Sequence, residues 1–182
     1  CSSDLFMYVG AITEREFGAI FGWGSLVYGL AFLLNGPLTD YWGGRVTILL
    51  SAGGSAVCNA LMGYMVLTGE DFGDRVGSLT LLNCANMYFQ SFGAVSIVKV
   101  NAAWFHLRER GTFGGVFGIL ISLGVFFGYD GSRIITDTFV DRSVNIHAAG
   151  NGLEYLFFIP AGLLVVFFVL CWLWVRDNPS QA

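Results

Sequence analysis

Long apolar runs, separated by short polar connections, make up most of this chain. Five of the runs approach the roughly 20 residues that a helix needs to cross the hydrocarbon core of a bilayer. They cover residues 17–34, 46–68, 77–98, 112–129 and 153–175. Buried strands are usually about 4–8 residues long, so runs of this length exclude an α/β fold. The pattern predicts an all-α, polytopic bundle of five transmembrane helices.

The connections alternate between two kinds. The acidic residues are concentrated in residues 1–16, 69–76 and 130–152, whereas the segments 35–45, 99–111 and 176–182 are short. Lys and Arg are spread almost evenly over the two kinds, so the positive-inside rule leaves the orientation open. An odd number of spans puts the termini on opposite sides of the membrane. That arrangement, and a start on Cys1 without Met, is typical of a fragment of a larger, even-numbered bundle.

The composition is typical of a protein embedded in lipid and argues against several classes of function. Hydrophobic residues make up 55% of the chain and charged residues 12%, with a mean hydropathy of +0.66. An average soluble domain has about twice that charged fraction. The four Cys and two His show no metal-ligand spacing, no span holds a nucleophile with a base, and no phosphate-binding loop is present. We therefore expect no metal, cofactor, nucleic-acid partner or enzymatic activity.

The connection between the first two spans has the sequence Gly-Pro-Leu-Thr-Asp-Tyr-Trp-Gly-Gly-Arg, which we call the loop segment (residues 36–45). Gly36 removes a side chain where two helices can touch, and Gly43 permits a tight turn. Asp40 offers a carboxylate that a helix N-terminus favours. Arg45 can pair with Asp40 or meet lipid head groups.

The loop segment resembles the one that joins the second and third helices in the major facilitator superfamily. A second stretch, residues 101–111, is similar to the loop between helices four and five of that family's organophosphate:phosphate antiporter branch. The shared residues of this second motif are Trp104, Arg108, Glu109, Arg110 and Gly111. The exit at residues 176–180 resembles the same branch after helix six. Tyr41 and Gly44 depart from the family pattern, which usually has basic residues there.

The resemblance implies a place in the family fold for every predicted span. The five spans correspond to helices two to six of the N-terminal, six-helix half of a twelve-helix transporter. The loop segment and the stretch from Trp104 to Gly111 are then cytoplasmic, and the acidic connections external. We expect a multi-pass protein of the plasma (inner) membrane, whose C-terminal half is missing from this sequence.

Polar residues inside a span are costly in lipid, so they tend to face the bundle interior or a water-filled cavity. Asn83, Asn86 and Gln90 share one face of the third span, where they either bond neighbouring helices or line a cavity. Tyr28, Phe32 and Asn35 share a face of the first span. The candidate cavity residues are Tyr28, Phe32, Asn35, Asn83, Asn86, Gln90 and Ile121.

The resemblance favours transport but leaves the solute open. Phe32 and Ile121 stand where the organophosphate branch has basic residues in its cavity. We expect a secondary carrier, ion-coupled or exchanging, that works by alternating access on a small solute, with organic anions and phosphorylated solutes as one option. The expected partners are that solute, a coupling ion, the lipid bilayer and the missing half. The alternative is a transporter-like membrane sensor of a small solute.

Overall fold

The computed structural model describes residues 14–68, 75–104, 110–139 and 152–176. These residues form five α-helices and no strand. The helices are α1 (Glu14–Trp42), α2 (Gly44–Thr68), α3 (Arg75–Trp104), α4 (Arg110–Phe139) and α5 (Tyr155–Trp174). The all-α prediction is confirmed, and each predicted span overlaps one helix in the predicted order.

Two helices continue into segments that the sequence predicts as connections. The structure contradicts the prediction of a loop over residues 35–45, because α1 continues through Trp42 and Gly43 alone separates it from α2. Similarly, α4 continues to Phe139, beyond the predicted end of its span. Hydropathy shows where contact with lipid ends, whereas backbone hydrogen bonds can extend a helix past that point.

The helix α3 lies beside both α1 and α2 and has extensive contacts with each. It runs in the same direction as α1, because Asn83 bonds Ile20 near one end and Asn35 bonds Ser91 further along. It runs opposite to α2, because the Ser96 hydroxyl meets Thr47 near the start of that helix. Because α3 has a neighbouring helix on two sides, we expect its polar residues to face protein where they would otherwise face lipid.

The helix α5 packs along the other side of α2. Phe157 and Phe158, near the start of α5, lie against Gly63, and Phe168 lies against Gly53. The two helices are therefore antiparallel. Because glycine has no side chain, the phenyl rings approach the α2 backbone closely.

The interior of this group changes character along its length. At one end Met62, Met65 and Leu79 are buried, with Phe17, Ile20, Leu82 and Phe157 packed around them. Toward the loop segment the interior is polar instead. We call its five side chains, each 0% exposed, the polar layer: Asn35, Thr39, Thr47, Ser91 and Ser96.

The helix α4 is exposed along most of its length. Its contacts with α5 are few, and one of them joins the rings of Phe139 and Tyr155, whose centroids are 4.9 Å apart. In the described part of the chain, four helices are long and apolar enough to cross a membrane: α1, α2, α4 and α5. The more polar α3 is not among them, although α1 and α2 pack against it.

Candidate functional site

The loop segment comprises the end of α1, a tight turn at Gly43 and the start of α2. Gly43 has φ of 89°, a left-handed conformation that side chains with a Cβ atom rarely adopt. Its N–H donates to the Thr39 carbonyl at 3.0 Å, and its carbonyl accepts from the N–H and the hydroxyl of Thr47. The conformation explains why glycine is needed at position 43, and it allows α1 and α2 to meet with one residue between them.

Asp40 forms an ion pair with Lys99 near the end of α3. The Lys99 ammonium lies 3.2 Å from a carboxylate oxygen of Asp40 and donates a hydrogen bond of 2.7 Å to the Thr39 carbonyl. The Asp40 side chain is 80% exposed, whereas that of Lys99 is 32% exposed. Lys99 therefore connects the end of α1 to α3 through two oxygens and leaves Asp40 accessible.

Arg45, at the second position of α2, reaches a different helix. Its guanidinium donates a hydrogen bond of 2.7 Å to the carbonyl of Trp172, in the last turn of α5. The sequence suggested Asp40 or lipid head groups as partners of this arginine. The structure shows a further partner, the C-terminal end of α5. The two charged residues of the loop segment are therefore connected to two different helices, Asp40 to α3 and Arg45 to α5.

Gly36 lies inside α1, where a Cβ atom would meet nothing within 4 Å. The close helix contact predicted at this glycine is therefore not found among the described residues. Such contacts occur at Gly24, next to Asn83, and at Gly54, next to the ring of Phe89.

The candidate cavity residues divide into two groups. Asn35 donates to the Ser91 hydroxyl at 2.6 Å and Asn83 donates to the Ile20 carbonyl at 3.2 Å, so both amides bond across the α1–α3 interface. Asn86 is also buried, and its side-chain oxygen has no partner among the described residues. For Asn35 and Asn83 the geometry is that of helix–helix hydrogen bonding.

The remaining candidates are accessible. Gln90 is exposed on α3, while Phe32 on α1 and Ile121 on α4 are 42% and 53% exposed. Tyr28 is half-buried, and its ring lies 6.5 Å from that of Phe32 between centroids. These four side chains are available to a solute, a lipid or another helix.

The second loop motif falls largely outside the described residues. Trp104 ends α3 and Arg110 begins α4. Arg108 and Glu109, between these helices, are outside the described residues. Gly111 follows in the first turn of α4, with nothing within 4 Å of its Cβ position. In the described part of the chain, no group of His, Cys, Asp or Glu side chains is arranged to hold a metal ion.

Sequence reasoning missed Lys99, the partner of Asp40. The available signal was a single lysine at the end of the third span, on the same side of the membrane as the loop segment. It also missed the hydroxyl pair of Ser96 and Thr47, which are 2.7 Å apart. The pairing depends on how α3 is aligned with its neighbours, and hydropathy does not specify that alignment.

Comparisons with known proteins agree with the resemblance seen in the loops. A family model described as Major Facilitator Superfamily matches residues 5–182. Among curated proteins, the chain is similar to the membrane sensor protein UhpC of Salmonella typhimurium, with 25% identity over 173 residues. This match covers 94% of the chain and 34% of the relative, so the chain spans about a third of that relative's length. No solved structure gives a significant match.

Proposed function

Because this chain belongs to the major facilitator superfamily, we propose that it is part of a secondary carrier that moves a small solute across the membrane by alternating access. The carrier is ion-coupled or exchanges one solute for another, and it lies in the plasma membrane. The observation that carries the proposal beyond the family is the ion pair between Asp40 and Lys99. It joins an exposed carboxylate of the loop segment to a half-buried lysine near the end of α3.

The geometry suits a contact that opens and closes. An ammonium group has three donors, and Lys99 uses one for the Thr39 carbonyl and one for Asp40. If the Asp40 carboxylate changes partner, the bond to Thr39 still holds α1 against α3. The loop segment can therefore bind and release a second, moving part of the carrier through Asp40 without loosening its own helices.

The solute class is the less determined part of the proposal. An organic anion or phosphorylated solute needs cationic partners, because Arg and Lys supply strong charge-assisted hydrogen bonds. The accessible candidates are instead Tyr28, Phe32, Gln90 and Ile121. In this proposal they supply aromatic, aliphatic and amide contacts. Any cations for an anionic solute come from the second half of the family fold or from the family's first helix, which would precede α1.

Uptake by the complete protein in proteoliposomes tests the role of the loop segment, with radiolabelled inorganic phosphate and a hexose phosphate as probes. We expect Asp40→Asn to lower the initial rate about tenfold with little change in KM, because the variant weakens a contact of the switching loop and leaves the solute site intact. Asp137→Asn is the matched control, because this exposed carboxylate lies on α4, away from the loop segment.

The charge-swapped variant Asp40→Lys with Lys99→Asp separates the ion pair from either charge alone. We expect it to recover part of the rate that each single substitution removes. Wild-type rates in Asp40→Asn would contradict the role of the loop segment. If the wild type transports neither probe, inorganic phosphate and that hexose phosphate are excluded as its solutes.

The second candidate function is a membrane sensor, which we propose would bind a small solute, because the similar protein from Salmonella typhimurium is named a membrane sensor protein. A sensor binds its ligand and signals to a partner without moving the ligand across the membrane. Ligand-dependent protection from thermal unfolding, without uptake in proteoliposomes, favours the sensor. A histidine kinase encoded next to the gene points the same way.

A further inference from the structure

The last turn of α5 ends in a way that needs a donor from elsewhere. The helix stops at Trp174, and Val175 adopts an extended conformation with φ of −75° and ψ of 130°. The last four carbonyls of a helix have no N–H partner further along it. The Val175 N–H donates to the Cys171 carbonyl at 3.0 Å, and the next carbonyl, that of Trp172, accepts from Arg45.

This contact has the charge and geometry of a helix cap. A guanidinium suits the C-terminal end of a helix, which has a partial negative charge of about half a unit. Hydrogen bonds from an ionised donor are about twice as strong as those between neutral groups. The distance of 2.7 Å is at the short end of the usual range, and the two residues are 127 positions apart.

Packing between α2 and α5 keeps the arginine close to this helix end. Phe168 lies against Gly53, and Phe157 and Phe158 lie against Gly63, so the helices touch along most of their length. Because they are antiparallel, the start of α2 lies beside the end of α5. The fold therefore places Arg45 beside the last turn of α5.

We infer that Arg45 is a positioning residue that caps α5 and connects the loop segment to the C-terminal end of that helix. This inference rests on the proposed carrier function and extends it. Asp40 connects the loop segment to α3, and Arg45 connects it to α5, with the Gly43 turn between them. A movement of the loop segment is then transmitted to the end of α5, as well as to α3.

Hydrogen–deuterium exchange of the complete protein in nanodiscs tests the cap directly. We expect Arg45→Gln to speed exchange of the backbone amides at residues 172–176 by a factor of about ten, because a hydrogen bond from a charged donor is lost. Arg45→Lys keeps the charge and one donor, so we expect a smaller increase of about threefold in the same amides.

Two variants control for general loosening of the protein. Arg133→Gln removes an arginine from α4, where the side chain is 82% exposed. Asp40→Asn removes the other charge of the loop segment, which contacts α3. We expect neither to change exchange at the end of α5. Unchanged exchange in Arg45→Gln, or an equal increase in Arg133→Gln, would overturn the cap.

Uptake measured on the same variants tests the connection to transport. We expect Arg45→Gln to lower the rate of phosphate or hexose phosphate uptake about fivefold with KM nearly unchanged, and Arg45→Lys to restore part of it. Faster exchange with a wild-type uptake rate would overturn the connection. If the wild type transports neither probe, transport of these two solutes is excluded, while the exchange results still decide whether Arg45 caps α5.

Discussion

The helices α3 and α4 have the same length, 30 residues, and opposite relations to the rest of the protein. The more polar α3 packs against α1 and α2. The more apolar α4 is long and apolar enough to cross a membrane, yet no residue of its most apolar stretch is buried in the protein. Apolar side chains suit a helix to lipid, whereas small and polar residues allow it to pack against other helices in a membrane.

Glycine shows the same contrast between the two regions. On the helices that pack together, a Cβ atom added at Gly24, Gly54 or Gly93 would overlap a side chain of a neighbouring helix. On α4, a Cβ atom added at Gly114 or Gly118 would meet nothing within 4 Å. The same residue type therefore allows close packing in one region and remains exposed in the other.

The largest expected effect comes from filling a glycine of the packed region. We expect Gly54→Leu to lower the free energy of unfolding by about 2–3 kcal/mol, because the new side chain overlaps the ring of Phe89 and forces a shift. Gly118→Leu, in open space on α4, should not lower it and should raise it by about 0.5–1 kcal/mol, because leucine is the better helix former. Unfolding of the 182-residue chain in mixed micelles, titrated with SDS, measures both.

An equal cost for the two glycine variants would remove the contrast between the regions. It would show that α4 is packed as tightly as α3, against a surface that the described residues do not provide. If Gly118→Leu lowers the free energy of unfolding of the complete protein and not that of the 182-residue chain, α4 contacts helices outside this chain.

A smaller effect is expected from an amide that bonds between helices. Asn35→Ala removes a buried hydrogen bond from α1 to Ser91 on α3, which we expect to cost about 1–2 kcal/mol. The matched control is Asn59→Ala, because that amide bonds the Ser55 carbonyl of its own helix, as the hydroxyls of α4 do. We expect the control to cost less than about 0.5 kcal/mol.

The same SDS titration measures the two asparagine variants. If they cost the same, the hydrogen bond from Asn35 to Ser91 adds nothing measurable to stability.

Much of the helical order could be predicted from the sequence, because run length and spacing are local properties. The order of five helices and the need for glycine at position 43 follow from residues close together in the chain. The position at which α1 ends does not follow from such local patterns. A helix of 29 residues is about 44 Å long at 1.5 Å per residue, longer than the roughly 30 Å hydrocarbon core, so it continues where the apolar run has ended.

The partners of the loop segment could not be predicted for a different reason. Lys99 pairs with Asp40, and Arg45 bonds Trp172, across 59 and 127 positions of sequence. These pairs depend on the alignment of α3 and α5 with the first two helices. Close contacts at Gly54 and Gly63 specify that alignment, and hydropathy carries no information about it.

The smallest expected effect compares one hydroxyl from each region. The Ser96 hydroxyl of α3 bonds the Phe92 carbonyl of its own helix and also lies 2.7 Å from the Thr47 hydroxyl of α2. Among the described residues, the Ser122 hydroxyl of α4 bonds the Gly118 carbonyl of its own helix and has no such contact with another helix. We expect Ser96→Ala to cost about 1 kcal/mol, because the buried Thr47 hydroxyl loses its contact with α3, and Ser122→Ala to cost nothing measurable. In Thr47→Val the Ser96 hydroxyl loses the same contact, so the double variant should cost less than the sum of the two single ones. Additive costs would mean that the two hydroxyls act separately, and the polar layer would then differ from α4 in burial without differing in the bonds it makes.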